Sequence, residues 1–196
     1  MADLEALLNH YHVSEDADLS FLCDIAIAVE QRMPKWQGRT TQSLRLALAM
    51  NQSAGQIVDG QQLSAAVLAH DIAMGFQPIS VLNKTGKLTG KERKTMQTHI
   101  KTAADLIHRM QHWDAARQMI LSHHERIDGQ GYPQGRSEDE IGHGSKVLAI
   151  VDAFTAQGLE NVMHGVMEIH RHGGSQFSDF WIHHFDQAIK LIYPRN

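Results

Sequence analysis

Apolar positions along this chain recur at intervals of three and four, the period of a helix with one buried face. Leu19, Leu22, Ile25, Val29 and Met33 form the first clear stripe. Leu44, Ala47 and Leu48 form a second, stopped at Gly55, and Leu63, Ala66 and Val67 a third that runs into His70-Asp71 and ends at Gly75. Thr89-Gly-Lys-Glu92 has the spacing of a capping box, in which threonine and glutamate satisfy each other's backbone amides. It opens a long helix whose inner face is Met96, His99, Ile100, Ala103, Ile107 and Met110. Ala116, Met119, Ile120 and His123 make the next stripe, which stops before the turn-rich Asp128-Gly-Gln-Gly-Tyr-Pro133. Ser137-Glu-Asp-Glu140 reads as a second capping box on a short helix. Val147, Leu148, Val151 and Asp152 follow on another helix. Val162, Val166 and Ile169 mark one more, and Trp181, Phe185, Ala188, Ile189 and Ile192 the last. No run of four or more residues alternates cleanly with period two. The pattern predicts an all-α fold, a single bundle of roughly eight helices. Residues 1–35, up to Pro34, are expected as an N-terminal helical appendage and 36–196 as the domain proper. The leading helices fit two roles equally, packing onto the bundle or joining two copies in a homodimer.

Composition narrows the class. At 196 residues, with 42% hydrophobic and 20% charged, the chain is an ordinary globular domain that can bury its own core. No apolar run approaches the ~18 residues needed to span a bilayer, and MADLEALLNHYH lacks the layout of a signal peptide. One cysteine, Cys23, forms no internal disulfide, so a reducing cytoplasm is the simplest home. Its neighbours Leu19, Leu22 and Ile25 make it a small core residue. A net charge of −4 without a basic run argues against binding to a nucleic-acid polymer.

The chain carries 14 histidines, and their placement matters more than their number. His70, His99, His123 and Asp152 fall where the helical period expects apolar core residues, with Asp71 and His124 beside them. A buried carboxylate is costly unless it is paired or coordinates a cation. Imidazole and carboxylate are common ligands of iron, manganese and zinc, and a shared aspartate can bridge two ions. A lone histidine on an apolar face is usually a hydrogen-bonded core residue; six such residues on four helices favour metal. His164, His170, His172, His183 and His184 show no such arrangement and read as surface or packing residues. Gly86–Lys91 is too short for a phosphate loop and has Glu92 where a serine or threonine is needed. His124-Glu125-Arg-Ile-Asp128 imitates a zinc-protease helix, but Gly129 and Gly131 would end the helix there.

The order His70-Asp71, Pro78–Thr89, His99, His123-His124-Glu125-Arg126, Asp128-Gly-Gln-Gly-Tyr-Pro133 and Val151-Asp152 resembles the HD-GYP family, a branch of the HD-domain metal-dependent phosphohydrolases. The likeness runs from about Arg39 to Tyr193. It extends to Gly173-Gly-Ser-Gln-Phe-Ser178, which is similar to the family's Gly-x-x-Phe-Asp segment. The resemblance implies an all-α hydrolase of cyclic di-GMP or another phosphoester, working with two divalent ions, iron or manganese before zinc. It implies His70, Asp71, His99, His123, His124 and Asp152 as metal ligands, with Asp71 as the bridging catalytic carboxylate. Gly131 and Tyr132 would border the substrate, and Lys84 and Lys87 are the basic residues available to phosphate, although a solvated loop is the simpler reading of both. The chain also departs from the family. Met74 stands where a lysine is usual, Gln42 where an early histidine is expected, and Gly38 where some members carry a glutamate. The stretch from Thr155 to Val162 lacks the basic residues that grip a dinucleotide in many members. Three readings follow, in order: a phosphodiesterase, a degenerate member that signals by binding metal or nucleotide, and a structural helical module.

Overall fold

The computed structural model describes residues 2–14, 16–33, 36–82, 84, 86–157 and 161–194. Pro34, at the expected domain boundary, and Glu160, the one charge after Asp152 in the expected substrate-gripping stretch, lie outside the described residues. The described residues form α1 (Ala2–His10), α2 (Ala17–Gln31), α3 (Arg39–Ser53), α4 (Gly60–Ala69), α5 (Ile79–Leu82), α6 (Gly90–Ile107), α7 (Asp114–Ser122), α8 (His143–Ala156), α9 (Val162–Arg171) and α10 (Asp179–Ile192). Short 3-10 turns at Ile72–Phe76 and Glu138–Glu140 complete them. Among the described residues the extended pairings are isolated bridges only, Asp128 with Ser137 and Gly173 with Phe177. The expected all-α class therefore holds, with ten α-helices where roughly eight were expected. One of the ten, the single-turn α5, is four residues long, too few for apolar periodicity to register.

Helix starts follow the capping chemistry legible in the sequence. Asp16 accepts the Asp18 and Leu19 amides at the head of α2, and Asp59 accepts that of Gln62 at the head of α4. The Thr89–Glu92 box is complete at α6. Asn51 pins the turn between α3 and α4 by donating to the Val58 carbonyl at 2.8 Å and accepting its amide at 3.0 Å.

Helix α3 is central, packed against α4, α8 and α10, while α4 also packs on α2 and α7. Helix α4 is buried from Leu63 through Ala69, and α8 from Val147 through Val151, which is why both read as continuous apolar runs. Trp181 and Phe185 of α10 and Leu44, Met50, Leu63, Leu68, Ile107 and Ile120 fill the interior. Leu4, Leu7 and Leu8 of α1 and Leu19 and Leu22 of α2 join the same core, so the leading helices bury their leucines within the chain. Cys23 is a buried free thiol, pushed up to about 11 by burial. Among the described residues, no helix is long and apolar enough to cross a membrane.

Candidate metal centre

Four helices converge on one polar spot in this apolar interior. His70 is the C-cap of α4 and Asp71 follows it; His123 is the C-cap of α7 and His124 follows it. His99 comes from α6 and Asp152 from α8. The C-terminal ends of α4 and α7 carry unsatisfied carbonyls and the negative end of each helix dipole, a setting that favours a cation.

Three of the histidines are held in the same way. His70 donates from Nδ1 to the Val67 carbonyl at 2.7 Å, His99 to Met96 at 2.5 Å and His123 to Ile120 at 2.7 Å. Each bond runs back three residues along the helix and leaves Nε2 pointing inward. Nε2 of His123 is fully buried and lacks a hydrogen-bond partner, while the equally buried Nε2 of His70 faces Asp71 Oδ2 at 3.1 Å. An unpartnered buried imidazole nitrogen is costly unless something binds its lone pair. Fixing Nδ1–H on a carbonyl is how metal-ligating histidines are oriented.

The ligand atoms fall into two groups. His99, His123 and His124 offer nitrogens within 4.8 Å of one another, and His70, Asp71 and Asp152 do the same at the adjoining pole. The rings of His70 and His123 lie 5.6 Å apart, joining the two poles. All six residues expected as ligands from the sequence are thus brought together, and the donor set suits a first-row divalent metal.

Electrostatics separates the poles. Burial, then the neighbouring His124 and His70, hold His123 well below the usual imidazole range; burial does the same to His124, so both stay neutral with free lone pairs. At the other pole burial would also depress His70, but Asp71 and Asp152 override it and push the imidazole up to about 10. Burial opposes ionisation of Asp71, but Arg39 and His70 hold its carboxyl well below the usual carboxylate range. Asp152 is held low in the same way by His70 and Arg39.

Arg39 is the residue that sequence reasoning missed. Its Nη2 lies 3.1 Å from Asp71 Oδ2 and 2.5 Å from Asp152 Oδ1. The α3 side chain within salt-bridge distance of both carboxylates is therefore Arg39, while the early-histidine position is Gln42. Met74, where a lysine was expected, is buried and lines a cavity of about 20 Å³ with Met33, Ile79 and Leu82.

The Asp128–Pro133 loop is built around a second missed residue, Glu125. Its buried carboxylate accepts the Gln134 amide at 2.7 Å and the Arg136 amide at 3.0 Å. Arg126 grips Asp128 through two bonds, at 3.0 and 2.6 Å, and reaches Gln176 at 3.0 Å. The Asp128 amide donates to the Ser175 carbonyl, tying the loop to the tail segment before α10. Gly131 packs so closely that a Cβ there would lie 2.3 Å from the Arg126 nitrogen. That approach lets the Tyr132 amide reach the His124 carbonyl and stacks the Tyr132 ring on His124, with centroids 4.9 Å apart. Burial, then the charge of Asp152, push the Tyr132 hydroxyl up to about 12. Lys84 is paired with Glu92 at 2.6 Å, within the α6 cap, and Lys87 is exposed in the preceding loop.

The sequence profile of the HD domain family matches residues 23–164. The chain is 31% identical over 107 residues to the 3'3'-cGAMP-specific phosphodiesterase 3 of Vibrio cholerae serotype O1, covering 55% of this chain and 23% of that protein. It is 30% identical over 162 residues to the cyclic di-GMP phosphodiesterase response regulator RpfG of Xanthomonas campestris pv. campestris, covering 78% of this chain and 41% of that one. The chain thus spans less than half the length of these relatives. Among solved structures, a cyclic GMP-AMP-specific phosphodiesterase of V. cholerae superposes with a TM-score of 0.67 at 16% identity, over 90% of this chain and 49% of that one. The HDG"Y"P protein Bd1817 of Bdellovibrio bacteriovorus gives 0.63 at 19%, over 78% of this chain and 51% of that one. These two structures share its fold.

Proposed function

Because the chain belongs to the HD domain family, we propose that it is a metal-dependent phosphodiesterase of the HD-GYP kind that opens a cyclic dinucleotide. The observation that carries this reading is the pair of adjoining ligand groups, with the buried Nε2 of His123 lacking a partner. The named activities of the relatives support the substrate class. Imidazole with carboxylate suits iron or manganese, and zinc as well. A divalent ion held by His99, His123 and His124 would supply Lewis acidity toward a phosphoryl oxygen and an acidified water.

The chain's own residues do the rest. Asp71 belongs to the pole of His70 and Asp152, where its carboxylate faces Arg39 and His70 at 3.1 Å each. Arg39 places a permanent positive charge beside the position a phosphoryl group would take, and that charge is worth most in a site largely shielded from water. Tyr132 covers His124 and keeps its hydroxyl protonated, so it remains a donor to a phosphate oxygen. Gly131 holds that ring in place. The leucines of α1 and α2 are spent inside the chain, which favours a packing role for these helices over a dimer contact.

A second reading, a module that binds the nucleotide without cleaving it, is favoured by Met74, whose apolar side chain stands where a phosphate-facing lysine was expected. Protein loaded separately with iron(II), manganese or zinc and incubated with cyclic di-GMP and 3'3'-cGAMP separates the two. Appearance of the linear dinucleotide supports the enzyme. Nucleotide binding by calorimetry without any product, under all three metals, supports the binding module and refutes the enzyme.

A further inference from the structure

Arg39 is held too firmly to be incidental. Glu30 of α2 accepts the Gly38 and Thr40 amides, both at 2.7 Å, and so fixes the backbone on either side of it. The Trp36 ring lies 4.3 Å from its Cζ, at cation–π distance. The guanidinium is buried and bridges Asp71 Oδ2 and Asp152 Oδ1.

These are the oxygens that face His70. Asp71 Oδ2 is 3.1 Å, and Asp152 Oδ1 3.8 Å, from His70 Nε2. An ion ligated by His70, Asp71 and Asp152, with bonds of about 2.0–2.2 Å, would draw on those same atoms. It would also sit directly against a guanidinium, which cannot shed its proton to make room. The two carboxylates have one cation already. The pole formed by His99, His123 and His124 differs: its ligand atoms converge within 4.8 Å, and the buried Nε2 of His123 has no hydrogen-bond partner.

We propose that Arg39 takes the place of one of the two ions expected from the sequence, so that the centre accepts a single divalent ion at the histidine pole, with the guanidinium as its second positive charge. This rests on the metal-dependent reading given above. The presence of Arg39 also offsets the absence of a lysine at Met74: the site keeps a basic side chain, supplied from α3 instead of the turn after α4.

The test is metal content in full-length protein stripped with chelator, reloaded with manganese(II) and dialysed. The wild-type chain should retain about one equivalent and give the resolved six-line paramagnetic resonance spectrum of an isolated ion. The Arg39→Ala chain should retain about two, with the spectrum broadened by coupling through Asp71. Far-ultraviolet dichroism checks that the variant is folded; if it is not, the wild-type stoichiometry and spectrum decide alone. Two coupled ions in the wild type, or one ion in a folded Arg39→Ala chain, overturn the inference and leave the metal reading intact. No retained metal in either protein overturns the metal reading itself and this inference with it.

Discussion

Replacing Gly131 with alanine tests how the Asp128–Pro133 loop is held over the centre. The added Cβ would lie 2.3 Å from the Arg126 nitrogen, 2.5 Å from Glu125 Cα and 2.6 Å from the Glu125 carbonyl carbon. All three are backbone atoms, so no rotamer change relieves the contact. The loop has to withdraw by roughly 1 Å to reach an ordinary carbon contact distance. Such a shift stretches the Tyr132 amide to His124 carbonyl bond from 3.1 Å beyond bonding range, a loss of about 1 kcal/mol. It unstacks Tyr132 from His124, about 0.5–1.5 kcal/mol more. It also weakens the bonds from the Gln134 and Arg136 amides to the buried Glu125 carboxylate, each worth about 1.5–3 kcal/mol. Loss of the first two and one of the last gives about 3–5 kcal/mol. For a domain of this size that lowers the melting temperature by roughly 6–20 °C. Thermal unfolding followed by circular dichroism on metal-free protein is the assay. Two other glycines calibrate it. A Cβ at Gly90 meets nothing within 4 Å, so Gly90→Ala should stay within about 0.5 kcal/mol of the wild type. The atoms nearest a Cβ at Gly144 are Sδ, Cε and Cγ of the flexible Met119 side chain, so Gly144→Ala should fall between the two. A Gly131→Ala protein that melts with the wild type would refute the close-packed loop.

His123→Ala should strip most bound metal, because it removes the buried imidazole whose Nε2 has no protein partner; His183→Ala, on the outer face of α10, should leave metal content unchanged, and plasma-source mass spectrometry reads both. Removing metal from the loaded protein with a strong chelator should lower its melting temperature by roughly 5–11 °C if the ion was present at about a hundred times its dissociation constant. An unshifted melting curve would place the ion at a loose surface site. Asp128 gives a pH signature: the hydrogen bonds from Arg126 depress its pKa from 3.8 to about 2. A depressed carboxylate stabilises the fold fully above its unfolded pKa and loses that contribution as pH falls through the folded one. Asp128→Asn should therefore be less stable than the wild type at neutral pH and converge with it as pH falls from about 4 towards 2; a gap that stays constant over that range in acid titrations followed by near-ultraviolet dichroism would exclude the ion pair as its origin.

The six ligand positions were legible because each breaks a local rule. A histidine or aspartate at an apolar step of a helical stripe demands an explanation within its own helix, and the capping box at Thr89 is likewise a matter of four consecutive residues. Arg39, Glu125 and the pairing of Lys84 break no such rule. Arg39 stands beside Gly38 ahead of the α3 stripe, where a charged residue ordinarily faces solvent; it turns inward only because Glu30, on a different helix, caps the backbone around it. Glu125 sits beside two ligands and imitates a protease motif, but what it binds is the backbone of a loop nine and eleven residues further on. Lys84 looked free for phosphate until Glu92, already committed to the α6 cap, claimed it as well.

The same distinction governs what counts as a departure from the family. Read position by position, Met74 and Gln42 are losses, one of a charge and one of a ligand. In three dimensions the charge is present again, 2.5 Å from Asp152, on a residue that no alignment of single positions would pair with either. Two half-buried carboxylates at 3.1 and 2.5 Å from one guanidinium draw on that neutralisation whatever ion the neighbouring histidines hold, since desolvation and mutual repulsion disfavour ionising a bare aspartate pair. Asp71 and Asp152 therefore do not by themselves imply a second ion, because Arg39 and His70 together match their charge. The demand for a metal falls on the part of the site with no internal cation: His123, buried and held neutral, with an inward nitrogen that no protein group satisfies.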